Sequence, residues 1–267
     1  MTDMSKFEAL YEKTYTKRLG KVTRAVGLTL ESSGPEVRLE DICLITQPGV
    51  KPAKAEVIGF RGDTVILMPY DDVTGVGAGA IVENLHEKFM VPVGPGTLGM
   101  VFDGMGRIFE TGEEMVTPYK YPSEAPPPDP LKRQMIDEPL TLGVKAIDGL
   151  LTIGKGQRIG IFAGSGVGKS TLLGMIARNT KADINVIALI GERGREVKEF
   201  IDRDLGPEGM KRSVVVIATS DRPALARKKA AKTATSIAEY FRDQGKDVLL
   251  MMDSLTRFSM AQREIGL

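Results

Sequence analysis

The chain has 267 residues, with 36 Lys and Arg against 35 Asp and Glu, for a formal net charge of +1. That length supports one large domain or two modest ones with real cores, and the even charge balance gives no general attraction to nucleic acid or an acidic membrane. One cysteine, Cys43, excludes an internal disulfide, and one histidine, His86, argues against a histidine-rich metal site or a Ser-His-Asp triad.

In chain order, residues 5–19 read as a short helix. Ser5 and Glu8 have capping-box spacing, and Phe7, Leu10, Tyr11, Thr14 and Tyr15 share one face. From Lys21 to Pro92 the pattern turns to short β segments with glycine-rich turns. Val37 and Leu39, then Ile42 and Leu44, alternate with a slip at Asp41 that predicts a bulge. Ala55 to Phe60 and Thr64 to Met68 flank Arg61-Gly62-Asp63 as a hairpin, and several such strands in this span predict a small closed barrel. Residues 93–135 are rich in Pro and Gly. Their Ala125-Pro126-Pro127-Pro128-Asp129-Pro130 run reads as a stiff spacer, because proline fixes φ and removes donors.

After Ile136, strands and helices alternate. Ile159 to Ala163, Val186 to Ile190, Val214 to Ala218 and Val248 to Met252 are short apolar runs, as expected of parallel strands buried on both faces. Val197, Phe200, Ile201 and Leu205 form a helical stripe. A second helix starts near Asp221, with Pro223 in its first turn, and ends around Gly245. Lys228, Lys229 and Lys232 on it read as a solvated face. The fold expected is α/β: an N-terminal helix (1–19), a β-barrel (20–92), a Pro/Gly-rich linker (93–135), and a partial RecA-like P-loop domain with a mainly parallel sheet (136–267). No apolar stretch approaches the ~20 residues of a membrane-spanning helix, and the N-terminus lacks an apolar signal-peptide core.

The strongest chemical signal is Ala163-Gly164-Ser165-Gly166-Val167-Gly168-Lys169-Ser170-Thr171, placed after an expected strand and opening a helix. Glycines let backbone N–H groups turn toward phosphate oxygens, and the helix N-terminus adds positive potential. Lys169 is expected to reach the β- and γ-phosphates, and the Ser170 hydroxyl to ligate Mg²⁺. The strict pattern has glycine at 163, where this chain has alanine. Asp253 closes an apolar strand and is expected to hold the Mg²⁺ shell through water. Glu192 ends another strand, within Gly191-Glu192-Arg193-Gly194-Arg195-Glu196. Ligands in open α/β sheets sit beyond the carboxyl ends of strands, so Lys169, Glu192 and Asp253 are expected to converge there. A carboxylate at that place suits orientation of an attacking water. The alternative makes Glu192 and Arg193 a structural ion pair.

These residues resemble the catalytic subunits of hexameric rotary-type ATPases, and specifically the type III protein-export ATPases. The likeness rests on Val93-Gly94-Pro95-Gly96, the Pro126 to Arg133 run, Gly143-Val144-Lys145-Ala146-Ile147-Asp148-Gly149-Leu150, the Gly191 to Val197 run, and Met251 through Glu264. Rotary synthase β subunits show a different run after Gly-Glu-Arg. Met100 stands where the family commonly has a basic residue. The resemblance implies ATP as substrate with Mg²⁺, Glu192 as catalytic carboxylate with Arg193 beside it, Asp253 as the Mg²⁺-shell acid, and Arg257 as an arginine flanking the nucleotide site. It also implies a homo-hexameric ring, a barrel that assembles it, an N-terminal helix docking a stalk or regulatory protein, and export substrates with their chaperones. The expected place is cytoplasmic, peripheral to the membrane export gate, with no nucleic acid, and the flagellar system is favoured over the virulence injectisome. A nucleic-acid translocase would need stacking aromatics and a basic face on the barrel, which offers only Phe60, Tyr70 and Phe89. Retention of Glu192 argues against a non-catalytic ring subunit. The family continues past the position of Leu267, so the chain reads as a fragment expected to bind ATP weakly and turn it over inefficiently.

Overall fold

The computed structural model describes residues 16–164 and 166–266. The helix expected over 5–19 therefore lies almost entirely outside the described residues. The chain divides into two compact units, residues 1–88 and 89–267.

In the first unit six strands close a barrel: β1 (Leu19–Val26), β2 (Thr29–Ser32), β3 (Ile42–Gln47), β4 (Val50–Arg61), β5 (Thr64–Pro69) and β6 (Ile81–Asn84). The order around it is β1-β2-β5-β4-β3-β6, with β6 returning to β1, every pairing antiparallel. Closure leaves no free edge, and alternate residues fill the interior: Val22, Leu30, Cys43, Ile45, Ala55, Val57, Val65, Leu67 and Val82. The expected hairpin around Arg61-Gly62-Asp63 is β4–β5, with Arg61 opposite Thr64. The expected bulge at Asp41 is not there. Residues 33–41 leave the sheet, because the Asp41 carboxylate accepts from the Arg38 N–H (2.8 Å) and from Asn84 Nδ2 (3.1 Å) and so offers the chain a local alternative to the ladder. The register shifts fall instead at Val22/Arg24, Ile45/Gln47 and Val57/Gly59.

The second unit begins with β7 (Met90–Val93), which pairs with β9 (Tyr119–Pro122); between them runs β8 (Val101–Asp103). A one-turn helix, α1 (Lys145–Asp148), precedes α2 (Lys169–Asn179), β10 (Ile184–Ile190) and α3 (Gly194–Glu199). α3 widens directly into a π-helical turn (Phe200–Leu205), followed by α4 (Gly206–Lys211), β11 (Ser213–Ala218), α5 (Ala224–Asp243), β12 (Val248–Asp253) and α6 (Leu255–Gly266). The sheet is fully parallel, in the order β12-β10-β11-β8.

β10 and β11 are buried along their whole length, as helices on both faces require. Val186, Ala188, Ile190, Val214, Val216 and Ala218 face one layer with Ala230, Ala234, Ile237 and Phe241 of α5. Ile187, Leu189, Val215 and Ile217 face the other, with Leu173, Ile176 and Ala177 of α2 and Val197, Phe200 and Leu205. The stripe at Val197, Phe200, Ile201 and Leu205 thus lies on α3 and the π-turn.

Two expectations fail in this unit. Ile159 to Ala163 is not a strand: Ile159 is 47% and Phe162 98% exposed. A strand exists only through a hydrogen-bonding neighbour, and residues 159–163 pair with no strand among the described residues; the fourth strand of the sheet is β8, from the Pro/Gly-rich stretch. Lys229 is not on a solvated face either. It is 1% exposed, its ammonium 3.7 Å from the Glu124 carboxylate and 5.4 Å from the centroid of the Phe89 ring. Lys232 also reaches Glu124, at 3.1 Å.

Candidate nucleotide site

The glycine-rich run 163–171 leads into α2. Gly166 (φ 77°) and Gly168 (φ 92°) adopt the left-handed conformation, which side chains resist and glycine does not. Ala163, Gly164, Val167, Ser170 and Thr171 are exposed around the helix entrance, so the loop is open to solvent; Ser165 lies outside the described residues. No side chain caps the N-terminus of α2.

Lys169, the first residue of α2, extends its ammonium to Asp253 Oδ1. Asp253 is 4% exposed at the carboxyl end of β12, opposite Leu189 of β10, and a cis peptide joins it to Ser254. β10 ends one residue earlier in the chain than Gly191, and Glu192 follows. Its carboxylate is held by Arg257 Nη1, from the first turn of α6. Two oppositely charged contacts therefore stand at the same rim of one sheet, on neighbouring strands. The sequence-derived trio of Lys169, Glu192 and Asp253 is brought to that rim, although the direct contacts are pairwise and Ser170 makes none.

Arg193 does not pair with Glu192. It points to Glu196, at 3.6 Å, while Arg257 takes the carboxylate. A close approach makes room for this: a Cβ at Gly191 would come within 2.6 Å of Arg257 Cδ, and Gly191 sits at φ 71°. Burial pushes the Glu192 carboxyl above the usual carboxylate range; Arg257 pulls it back down, and a hydrogen bond shared with Glu196 raises it. The same bond holds the Glu196 carboxylate below its ordinary value. The backbone is fixed as well, with Gly191 N–H donating to Ala218 O (2.6 Å) and Ser220 N–H to Glu192 O (3.1 Å). Sequence reasoning missed Glu196 and the seat at Gly191; both lie inside the run around Glu192, but no spacing rule marks them.

Family models for the ATP synthase alpha/beta family match this chain twice: its beta-barrel domain over residues 22–86 and its nucleotide-binding domain over residues 143–267. The chain belongs to the ATP synthase alpha/beta family. Within that family it is 57% identical over 258 residues to the flagellum-specific ATP synthase of Bacillus subtilis, covering 94% of this chain and 58% of that protein. It is 51% identical over 252 residues to the type 3 secretion system ATPase of Xanthomonas euvesicatoria, covering 94% and 57%. The assembled ATPase EscN from the enteropathogenic E. coli type III secretion system has the same fold, with a TM-score of 0.85 at 51% identity over 92% of this chain and 59% of that one. EscN has also been solved in complex with its central stalk EscO, with a TM-score of 0.83. The chain thus spans about three fifths of the length of the relatives it matches. Among the described residues, no helix is long and apolar enough to cross a membrane.

Proposed function

We propose that this chain carries the ATP-hydrolysing site of a type III protein-export ATPase, the flagellar one in particular, a choice supported by the 57% identity to the flagellum-specific protein of Bacillus subtilis. The observation that carries the reading is the pair of contacts at the sheet rim, Lys169 to Asp253 and Glu192 to Arg257. Two cations and two carboxylates beside an uncapped helix N-terminus and a glycine loop suit a triphosphate with its divalent ion.

The Lys169 ammonium binds β- and γ-phosphate oxygens, and the loop 163–171 wraps them with backbone N–H groups. The residues fit magnesium: Ser170 and Asp253 offer hard oxygen donors at the rim, and Mg²⁺ keeps waters and phosphates for the rest of its shell. Bound there with the nucleotide, it would supply positive charge where phosphate oxygens gather it. Glu192 orients a water and accepts its proton, a task suited to a carboxyl whose pKa lies above the ordinary range. Arg257, now on Glu192, and Arg193, now on Glu196, would offer positive charge to the transferring phosphoryl group, where it stabilises the transition state.

The wider reading follows the relatives. The whole protein works as a homo-hexameric ring at the cytoplasmic face of the membrane export gate. Its barrel unit joins neighbouring subunits, the segment that precedes the barrel docks a stalk protein, and hydrolysis drives export of substrates delivered by chaperones. The test is ATP turnover and nucleotide binding in the whole protein. Glu192→Gln is expected to keep nucleotide but lose turnover by roughly 10²–10⁴-fold. Lys169→Ala is expected to lose affinity as well. Wild-type turnover in Glu192→Gln removes this carboxylate from the chemistry.

A further inference from the structure

The far end of α2 is tied down in an unusual way. The last carbonyls of any helix lack partners within it. Here the Arg212 guanidinium takes them: Nη2 donates to Ala177 O and Arg178 O, both at 2.9 Å, and Nη1 to Thr180 O (2.9 Å) and Ala182 O (3.0 Å). Asn185 Nδ2 adds a bond to Ala177 O at 2.8 Å. Arg212 is itself anchored, since its own carbonyl accepts from the Asn185 N–H at 2.9 Å, where β10 and β11 begin to pair. A cation among helix C-terminal carbonyls is favourable, and four carbonyls on one guanidinium use a planar fork that an ammonium lacks.

The two ends of α2 are therefore treated oppositely: the carbonyl end is held by Arg212, while the amide end has no side-chain cap and carries Lys169. Between them the backbone at Gly174 lies directly against Asp204. A Cβ at Gly174 would come within 2.6 Å of Asp204 O, in the π-turn. At 1.5 Å rise per residue, Gly174 stands about 7.5 Å from either end of α2. A rigid helix pressed at its middle behaves as a lever, so a displacement at the carbonyl end is mirrored at Lys169.

We propose that Arg212 is a positioning residue for the phosphate loop: its guanidinium ties the carbonyl end of α2 to the start of β11 and so fixes, across the Gly174–Asp204 contact, the helix end that bears Lys169. The π-turn and α4 that lead to Arg212 continue the helix that starts two residues after Glu192. One excursion of chain, residues 192–212, thus holds the attacking-water carboxylate at one end and the phosphate-loop helix at the other. The inference rests on the reading of residues 163–171 as the phosphate loop.

The test compares Arg212→Gln and Arg212→Lys with wild type in the whole protein, well below the unfolding temperature, with the fold checked by circular dichroism. Binding of a fluorescent ATP analogue with magnesium is measured beside kcat and KM. Arg212→Gln is expected to weaken nucleotide affinity and raise KM by roughly tenfold, with a smaller loss in kcat, because Lys169 is misplaced rather than removed. Arg212→Lys, which keeps the charge without the fork, should fall between. Lys211→Gln, next in the chain and paired with Glu208 at 2.7 Å, should match wild type. A folded Arg212→Gln with wild-type affinity and KM overturns the inference. Should Arg212→Gln not fold, Arg212→Lys decides: a lowered melting temperature with unchanged affinity and KM also overturns it. Failure of the wild type to bind nucleotide sinks the functional reading instead.

Discussion

Glu192 sits between two opposing influences, burial that favours its protonated form and Arg257 that favours its charge. Its carboxyl lies above the usual range in the folded state. What it contributes to stability is therefore complete below the unfolded carboxylate value and is lost as pH rises through the raised folded value. Turnover runs the other way, since water activation needs the ionised form: the acid limb of kcat should lie above the ordinary carboxylate range. Arg257→Gln removes the downward pull and should shift that limb to still higher pH. A kcat–pH profile that stays in place, or moves to lower pH, shows that Arg257 does not govern Glu192. That Lys169, Asp253 and Glu192 meet at one sheet rim was legible in sequence, because Lys169 opens a helix, Asp253 closes a strand and Glu192 follows one by two residues. The partner of Glu192 could not. Arg193 is its chain neighbour, but the left-handed backbone at Gly191 opens a seat that Arg257 fills from another element. Proximity in the chain and proximity at a sheet rim are different quantities.

Among the elements, α5 shows the same limit in the packing. Its three lysines look alike in sequence, yet Lys229 and Lys232 converge on Glu124. Around them Thr233 Oγ1 donates to Gly104 O (2.8 Å), Ser236 Oγ to Pro122 O (3.1 Å), and the Tyr121 hydroxyl to Asp243 Oδ2 (3.1 Å). This polar seam fastens residues 104–124 to α5, and the stretch read from its Pro and Gly content as a linker also contributes β8, which pairs with β11. Periodicity found the buried runs of β10, β11 and β12 because both faces are apolar. It overcalled residues 159–163, whose apolar run has no strand beside it among the described residues, and it passed over β8, three residues too short to show a period. Glu124→Gln should destabilise the unit by about 2 kcal/mol, the cost of leaving a buried ammonium with one charged partner fewer. Lys229→Met, of similar length and apolar, should cost less. Urea midpoints at constant m-value make the comparison, and the reverse order would mean that the seam is held by apolar packing rather than by Glu124.

For the molecule as a whole, the division into a closed barrel and a parallel-sheet unit implies that a ligand of one acts on its own stability first. Anything that binds only the folded state stabilises it by RT ln(1 + [L]/Kd), about 2.7 kcal/mol at a hundredfold excess over Kd. All the groups assigned to nucleotide lie in the second unit. The barrel carries its own reporter: Cys43 is fully buried between β3 neighbours, and burial, with a smaller push from the Asp41 charge, lifts its thiol to about 12. Alkylation at neutral pH needs the thiolate, so Cys43 should react only when the barrel opens. In a urea series, magnesium and ATP at saturating concentration should raise the midpoint followed by the helical signal of the second unit, which holds the helices of the described residues. The midpoint for Cys43 labelling should stay where it is without nucleotide. If the two midpoints rise together, the units unfold as one cooperative body; if neither moves, the rim at Lys169 and Asp253 does not hold the nucleotide.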